Sequence, residues 1–120
     1  MEDFILREID RLYDVLMLMA QKLGLWNGKL EKYGIADLKR EFEDAKVSVD
    51  LDELLKMENP VWYLVNEEHL SDKSLEIFID ILYHTDLDAS VKTALLNDTL
   101  AYFEHKKYVS FRLYSLLSAK

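Results

Sequence analysis

The most regular hydrophobic pattern in this chain lies between Glu2 and Leu23. Large apolar residues recur there at alternating intervals of four and three positions, which places them on one stripe of an α-helix. Between Val15 and Ala20 the segment is apolar on every side, and such a helix is normally buried on most of its surface. We therefore predict a central core helix against which the later helices pack. The stripe consists of Ile5, Ile9, Leu12, Leu16, Met19 and Leu23.

The same spacing is also that of a coiled-coil seam, which would make this helix a dimer interface. The pattern holds fewer than three full heptads, and a coiled coil is indicated only by three or four. We therefore favour an intramolecular core and a monomer, with a homodimer through this stripe as the alternative.

A second apolar face predicts a helix from about Lys29 to Val47, joined to the first by a short turn as an antiparallel hairpin. Gly34 falls inside it and weakens its first turn by about 1 kcal/mol relative to alanine. We expect the firm part of the helix to begin near Ile35.

Five further helices are predicted by apolar stripes that follow helix-starting residues. Asp50, Asn59 and Ser71 are strong N-caps, and Pro60 suits the first position of a helix. Asp88 or Ser90 is expected to cap the sixth helix, and the seventh is expected to begin at about Tyr108. The expected helices cover 51–57, the residues after Pro60 up to His69, the residues after Ser71, the residues after Asp88 or Ser90, and 108–118.

The predicted fold is a single all-α domain over residues 1–120, built from antiparallel helical hairpins as a bundle of about six or seven helices. Half of the 120 residues are apolar, which is enough for a core without covalent cross-links. There is no cysteine, which excludes disulfides and cysteine metal sites and agrees with a reducing compartment.

One segment of the predicted sixth and seventh helices, residues 94–117, resembles the hairpin of a tetratricopeptide repeat. Thr99, Tyr102 and Tyr108 match the small residue, the tyrosine and the aromatic that opens the second helix of such repeats. Lys106 stands at the turn position where the repeat has glycine, and Phe111 stands where it has a small residue. The resemblance implies a stack of helical hairpins with a groove for a peptide or protein. The sequence contains no second copy at a 34-residue period, and the alternative is a generic hairpin with aromatic side chains.

The formal net charge is −8, so most of the surface would repel a phosphate backbone, and we expect no nucleic-acid partner. The charge is uneven, with eight acids and two bases in residues 66–98 but four bases and no acid in residues 105–120. The favoured interpretation is attraction between neighbouring helices, and the alternative is a basic patch for an acidic partner. The longest apolar run is too short to span a bilayer, and Met1, Glu2 and Asp3 do not resemble a secretory signal. We therefore expect a cytoplasmic protein with no membrane partner.

The sequence contains no recognisable catalytic constellation. His84, Asp86 and Asp88 form a His-x-Asp-x-Asp run, but it lacks the glycine and the distant glutamate of a calcium loop, and we interpret it as a polar connector whose aspartates cap a helix. No other histidine lies one helical turn away, and no glycine-rich phosphate loop is present. We predict no metal, no cofactor and no catalytic residue, which weighs against an enzyme.

Aromatic residues are the remaining candidates for a binding site, since tryptophan and tyrosine dominate interaction hot spots. The alternative is that they fill gaps between short helices. We predict a non-enzymatic protein-interaction or scaffolding module that binds a protein, a peptide or a second copy of itself. The alternative function is a small-molecule-binding protein or enzyme with an apolar pocket between helices. The predicted partner-binding residues are Trp26, Trp62, Tyr63, Tyr108 and Tyr114.

Overall fold

A computed structural model describes residues 13–22, 34–47 and 49–118 of the chain. These residues form helices joined by short connectors, with no strand among them, which confirms the all-α fold class. Residues 13–22 are helical and are called α1 here. The helices that follow are α2 (Ile35–Asp44), α3 (Leu51–Lys56), α4 (Pro60–Asn66), α5 (Asp72–Tyr83), α6 (Ala89–Lys106) and α7 (Phe111–Ser118).

The core is organised around α5, in which eight of twelve residues are buried. Apolar residues occur on almost every side of this helix, and α6 and α7 both pack against it. From α2, Phe42 meets Phe78 of α5 edge-on, with ring centroids 5.7 Å apart. α4 packs on the other side of α6, and α3 packs against α4.

The described part of the first predicted helix, α1, contributes to the core. Within α1, Leu16, Met19 and Ala20 are buried as predicted, so these stripe residues belong to the core of a single chain. Val15 and Met17 are half-buried against the same core, and of residues 15–20 Leu18 alone is largely exposed, at 54%. Residues 2–12 and 23 of the predicted helix lie outside the described residues, so its central position in the fold stays a prediction.

Local capping determines where α3 and α5 begin. Asp50 accepts a hydrogen bond of 3.2 Å from the backbone N–H of Glu53, and Ser71 accepts one of 3.2 Å from that of Ser74. Both caps were predicted, because a short polar side chain there satisfies an amide that has no partner within the helix.

The predicted start of the second helix at about Lys29 lies outside the described residues. Gly34 is the N-cap of α2 and does not lie inside it, and the expected firm start at Ile35 is confirmed. The predicted start of the seventh helix was wrong. α7 begins at Phe111, not at Tyr108, because the Ser110 hydroxyl accepts a hydrogen bond of 3.2 Å from the N–H of Leu113. The preceding helix, α6, ends at Lys106, and the chain turns at its C-cap Lys107, which has a positive φ of 61°.

The uneven charge along the sequence is explained by pairing between α5 and the α6–α7 segment. Asp72, Glu76 and Asp80 are spaced four apart on α5 and are called the acidic row here. Lys106 binds Asp72 at 3.1 Å and Arg112 binds Asp80 at 3.0 Å. The Ser110 hydroxyl donates to the Glu76 carboxylate between them. Attraction between neighbouring helices, the favoured interpretation of the charge pattern, therefore accounts for Lys106 and Arg112.

Candidate functional site

A stripe along α6 forms the floor of an open groove. Its residues recur at intervals of three and one along three turns, so they lie on one side of the helix. Two of them are exposed alanines, Ala94 and Ala101, whose small side chains leave space above the helix. The exposed carboxylate of Asp98 lies midway between them. The complete stripe is Val91, Ala94, Leu95, Asp98, Ala101 and Tyr102.

The groove consists of two hollows that meet at Asp98, and together they are called the α6 groove. The first, of about 230 Å³, lies between the early part of α6 and the α3–α4 turn. The second, of about 240 Å³, lies between the later part of α6 and α4. Both are open to solvent, so their apolar lining is accessible to another molecule. The walls are formed by Leu55, Met57, Glu58 and Pro60 in the first hollow and by Asn59, Val61, Trp62, Val65 and Asn66 in the second.

The indole of Trp62 is the largest exposed side chain in this groove. Its exposed fraction is 58%, although it lies in a helix whose neighbouring residues Val61 and Leu64 are buried. α4 is only seven residues long, and turning those two residues toward the core leaves Trp62 on the rim. The Asn66 side chain donates a hydrogen bond of 2.9 Å to the carbonyl of Trp62 and braces the end of this helix.

The charged side chains that line the groove are acidic. Glu58 and Asp98 are both exposed, and none of the residues lining the two hollows is basic. The nearby Lys106 ammonium lies 5.5 Å from the centre of the Tyr102 ring. It binds Asp72 as well, and this hydrogen bond raises the pKa of Lys106. The groove therefore presents apolar surface with negative charge at its middle and at one end.

Among the predicted partner-binding residues that the structure describes, Trp62 alone lines this groove. Tyr63 is half-buried and donates a hydrogen bond of 2.9 Å to Glu68, which raises the pKa of the phenol. Tyr108 is also half-buried, with its ring 4.7 Å from that of Phe103, and burial raises its pKa. Tyr114 is 44% exposed on α7. Trp26 lies outside the described residues.

A second exposed apolar surface lies at the start of α7. Phe111 is 81% exposed and Val109 is 62% exposed, and both precede the exposed Tyr114. The buried residue of this helix is Leu113, with Leu116 and Leu117 half-buried.

The histidine and aspartates of the predicted connector make separate contacts. His84 Nδ1 lies 2.8 Å from the carbonyl oxygen of Asp80 and 3.3 Å from its Oδ1, and the hydrogen bond to this side chain raises the pKa of His84. Asp86 binds the backbone N–H of Ile35 at the start of α2, and so does not cap α6 as expected. Asp88 occupies the N-cap position of α6 without a side-chain hydrogen bond to that helix. Within the described part of the chain, no cluster of three acidic or histidine side chains could hold a metal ion.

A hollow of about 420 Å³ lies between α2 and α3 and is more polar than the α6 groove. Lys39 and Asp52 pair across its rim, and Asp50 is engaged as the N-cap of α3. Phe42, Val49 and Leu51, which form its apolar lining, belong to the buried core. The Lys39–Asp52 pair therefore joins α2 to α3 at this hollow.

The groove-lining residues of α6 follow a spacing that is visible in the sequence. Val91, Ala94 and Leu95 line the groove, whereas Phe103 is buried in the core. The face with positions 91, 94, 98, 101 and 102 in helical spacing carries a valine, two alanines, a tyrosine and the carboxylate of Asp98. Such a pattern on a helix that already has a core face predicts an accessible second face.

No protein-family model, curated protein or solved structure matches this chain. The resemblance of residues 94–117 to a tetratricopeptide hairpin therefore stays a prediction. In the described part of the chain, no helix has both the length and the apolar character needed to cross a membrane.

Proposed function

We propose that this protein is a non-enzymatic interaction module whose partner binds in the α6 groove. The observation that carries the proposal is the exposed Trp62 indole at the rim of an open, largely apolar groove. Exposed apolar surface that is contiguous and bordered by polar residues is typical of interaction sites. Tryptophan is the residue most enriched among those that contribute strongly to binding.

The character of the groove favours association over catalysis. Acid–base chemistry requires a titratable group with a shifted pKa, placed in a cleft where polar groups converge. The side chains of His84, Tyr63 and Tyr108 have raised pKa values, but none of them lines the groove. Both hollows are also open to solvent, whereas small-molecule sites usually enclose most of their ligand.

The burial of residues in the α1 stripe argues against a homodimer formed through that stripe. Leu16 and Met19 are buried within one chain, so neither offers surface for a coiled-coil seam. The α6 groove retains its exposed aromatic and is available to another molecule.

Selection from a displayed library of short helical peptides tests this function. Peptides that bind the wild-type protein should bind Trp62→Ala about tenfold or more weakly, because the variant loses the indole rim. Phe111→Ala is the matched control, since it removes a more exposed aromatic that does not line the groove. Selected peptides that bind the two variants with equal affinity would contradict the proposal.

A further inference from the structure

We infer that the occupant of the α6 groove is a basic amphipathic helix. It carries apolar anchors seven residues apart, with a lysine or arginine one turn after the first anchor. This inference rests on the proposed function and adds to it the conformation, anchor spacing and charge of the partner segment.

The spacing of the two hollows determines the spacing of the anchors. Ala94 and Ala101 form the open parts of the floor, one in each hollow, and seven residues separate them. At 1.5 Å per residue the two positions are about 10 Å apart along the axis of α6. A partner that fills both hollows must therefore present two side chains about 10 Å apart on one side.

A helix meets this requirement and an extended strand does not. Residues seven apart in a helix lie two turns from each other on the same side, again about 10 Å apart. On one face of a strand, successive side chains are about 6.6 Å apart, so the available spacings are about 6.6 and 13 Å. Helix-in-groove binding through anchors at such intervals is a recurrent mode of peptide recognition.

The carboxylate between the hollows determines the charge of the partner. In a helix docked along α6, the residue three or four positions after the first anchor lies above Asp98. Glu58 adds a second negative charge in the first hollow, and the whole chain has a formal charge of −8. A cationic side chain would be attracted over a long range, whereas a glutamate there would be repelled.

A designed set of synthetic peptides tests the inference. The matched peptide is a helix of about four turns with leucine at positions i and i+7, arginine at i+4 and otherwise alanine and glutamine. A second peptide carries glutamine at i+4, a third moves the arginine to the opposite face, and a fourth has a proline between the anchors. Dissociation constants are measured by fluorescence anisotropy on wild type, Trp62→Ala, Asp98→Asn and Asp98→Arg. Glu104→Gln is the control, because it removes another exposed α6 carboxylate outside the groove.

The matched peptide should bind wild type and lose about tenfold or more affinity on Trp62→Ala. Its affinity should fall about three- to fivefold on Asp98→Asn and stay unchanged on Glu104→Gln, as expected for a partly exposed ion pair. The peptide with the displaced arginine should bind more weakly and should not respond to Asp98→Asn. The Asp98→Arg variant should bind a fifth peptide, the matched peptide with glutamate in place of arginine at i+4, more tightly than it binds the matched peptide. The glutamate restores the ion pair with the charges reversed.

The possible failures can be told apart. If all peptides bind with equal dependence on Trp62 and none on Asp98, the groove is an interaction site but the inference of a basic partner is wrong. If the proline-containing peptide binds as well as the matched one, the inference of a helical partner is wrong. If no peptide binds wild type, the proposed function fails together with the inference. Sedimentation equilibrium tests for a dimer. If wild type is a dimer and Trp62→Ala is a folded monomer, the occupant of the α6 groove is a second copy of the chain and the inference of a basic helix is wrong.

Discussion

The side chain of Asp86 accepts a hydrogen bond of 2.8 Å from the backbone N–H of Ile35, although 51 positions separate the two residues. This N–H belongs to the first turn of α2, where the amides have no partner within their own helix. The nearby Asp37 carboxylate accepts a second hydrogen bond, of 3.1 Å, from the N–H of Gly34. The α5–α6 connector therefore stabilises the start of a helix that lies far from it in sequence.

Replacing Asp86 by alanine should destabilise the protein by about 1 kcal/mol, the usual effect of losing a capping side chain. Urea unfolding followed by circular dichroism measures this change. Asp88→Ala is the matched control, because Asp88 lies in the same connector but its side chain makes no capping bond to α6. An equal loss of stability in both variants would contradict the role assigned to Asp86.

Leu16→Asp should unfold the domain, because it places an unpaired charge at a position with no exposed surface. Leu18→Asp, two positions further along the same helix, should change the unfolding free energy by less than about 0.5 kcal/mol. Leu18 is 54% exposed, so its carboxylate would stay in water. Thermal melts of the two variants make the comparison, and a folded Leu16→Asp variant would show that α1 does not contribute to the core.

Arg112→Met should cost about 2 kcal/mol, because it removes the guanidinium 3.0 Å from the carboxylate of Asp80, which is 3% exposed, and leaves that carboxylate with His84 as its remaining positively charged partner. Lys106→Met removes the other cation from the acidic row and should cost less than about 1 kcal/mol. Its partner Asp72 is more exposed, so solvent screens that pair. Chemical denaturation of both variants tests the ranking, which a larger effect at Lys106 would overturn.

His84 should make the stability of the protein depend on pH near neutrality. The hydrogen bond to Asp80 raises the pKa of His84 in the folded state above its usual value of 6.5. The protonated form is therefore favoured by folding. This stabilisation is fully present below the unfolded-state pKa and is lost as the pH rises through the folded-state pKa.

The difference in unfolding free energy between wild type and His84→Gln should accordingly shrink as the pH is raised from about 6 to about 8. His105→Gln is the control, since His105 is exposed at the end of α6. A difference that grows with pH would show that the neutral imidazole is the form preferred by the folded protein.

The sequence predicted those features that depend on neighbouring residues. The caps at Asp50 and Ser71 and the stripe residues Leu16 and Met19 follow from local spacing, and all four are found as expected. The bond from Asp86 to Ile35 could not be predicted, because it depends on how distant segments come together. The extensive burial of α5 also depends on distant segments, since α6 and α7 both pack against it.

The candidate site was predicted in part. Trp62 was identified by residue type alone, and its exposure follows from the direction in which the short helix α4 packs. Tyr63 is its neighbour in sequence, but one position along a helix changes the direction of a side chain by about 100°. Aromatic composition alone therefore could not distinguish Trp62, which lines the groove, from Tyr63 and Tyr108, which contact Glu68 and Phe103.

The acidic row on α5 also restricts how far α7 can slide along that helix. A shift of four residues, about 6 Å, would bring Arg112 beside Glu76 in one direction and beside His84 in the other. In either case the buried Asp80 carboxylate would lose the Arg112 guanidinium and keep the His84 contact alone, and a buried charge with fewer partners is unfavourable. The polar groups of this helix pair therefore favour the observed alignment of α7 on α5.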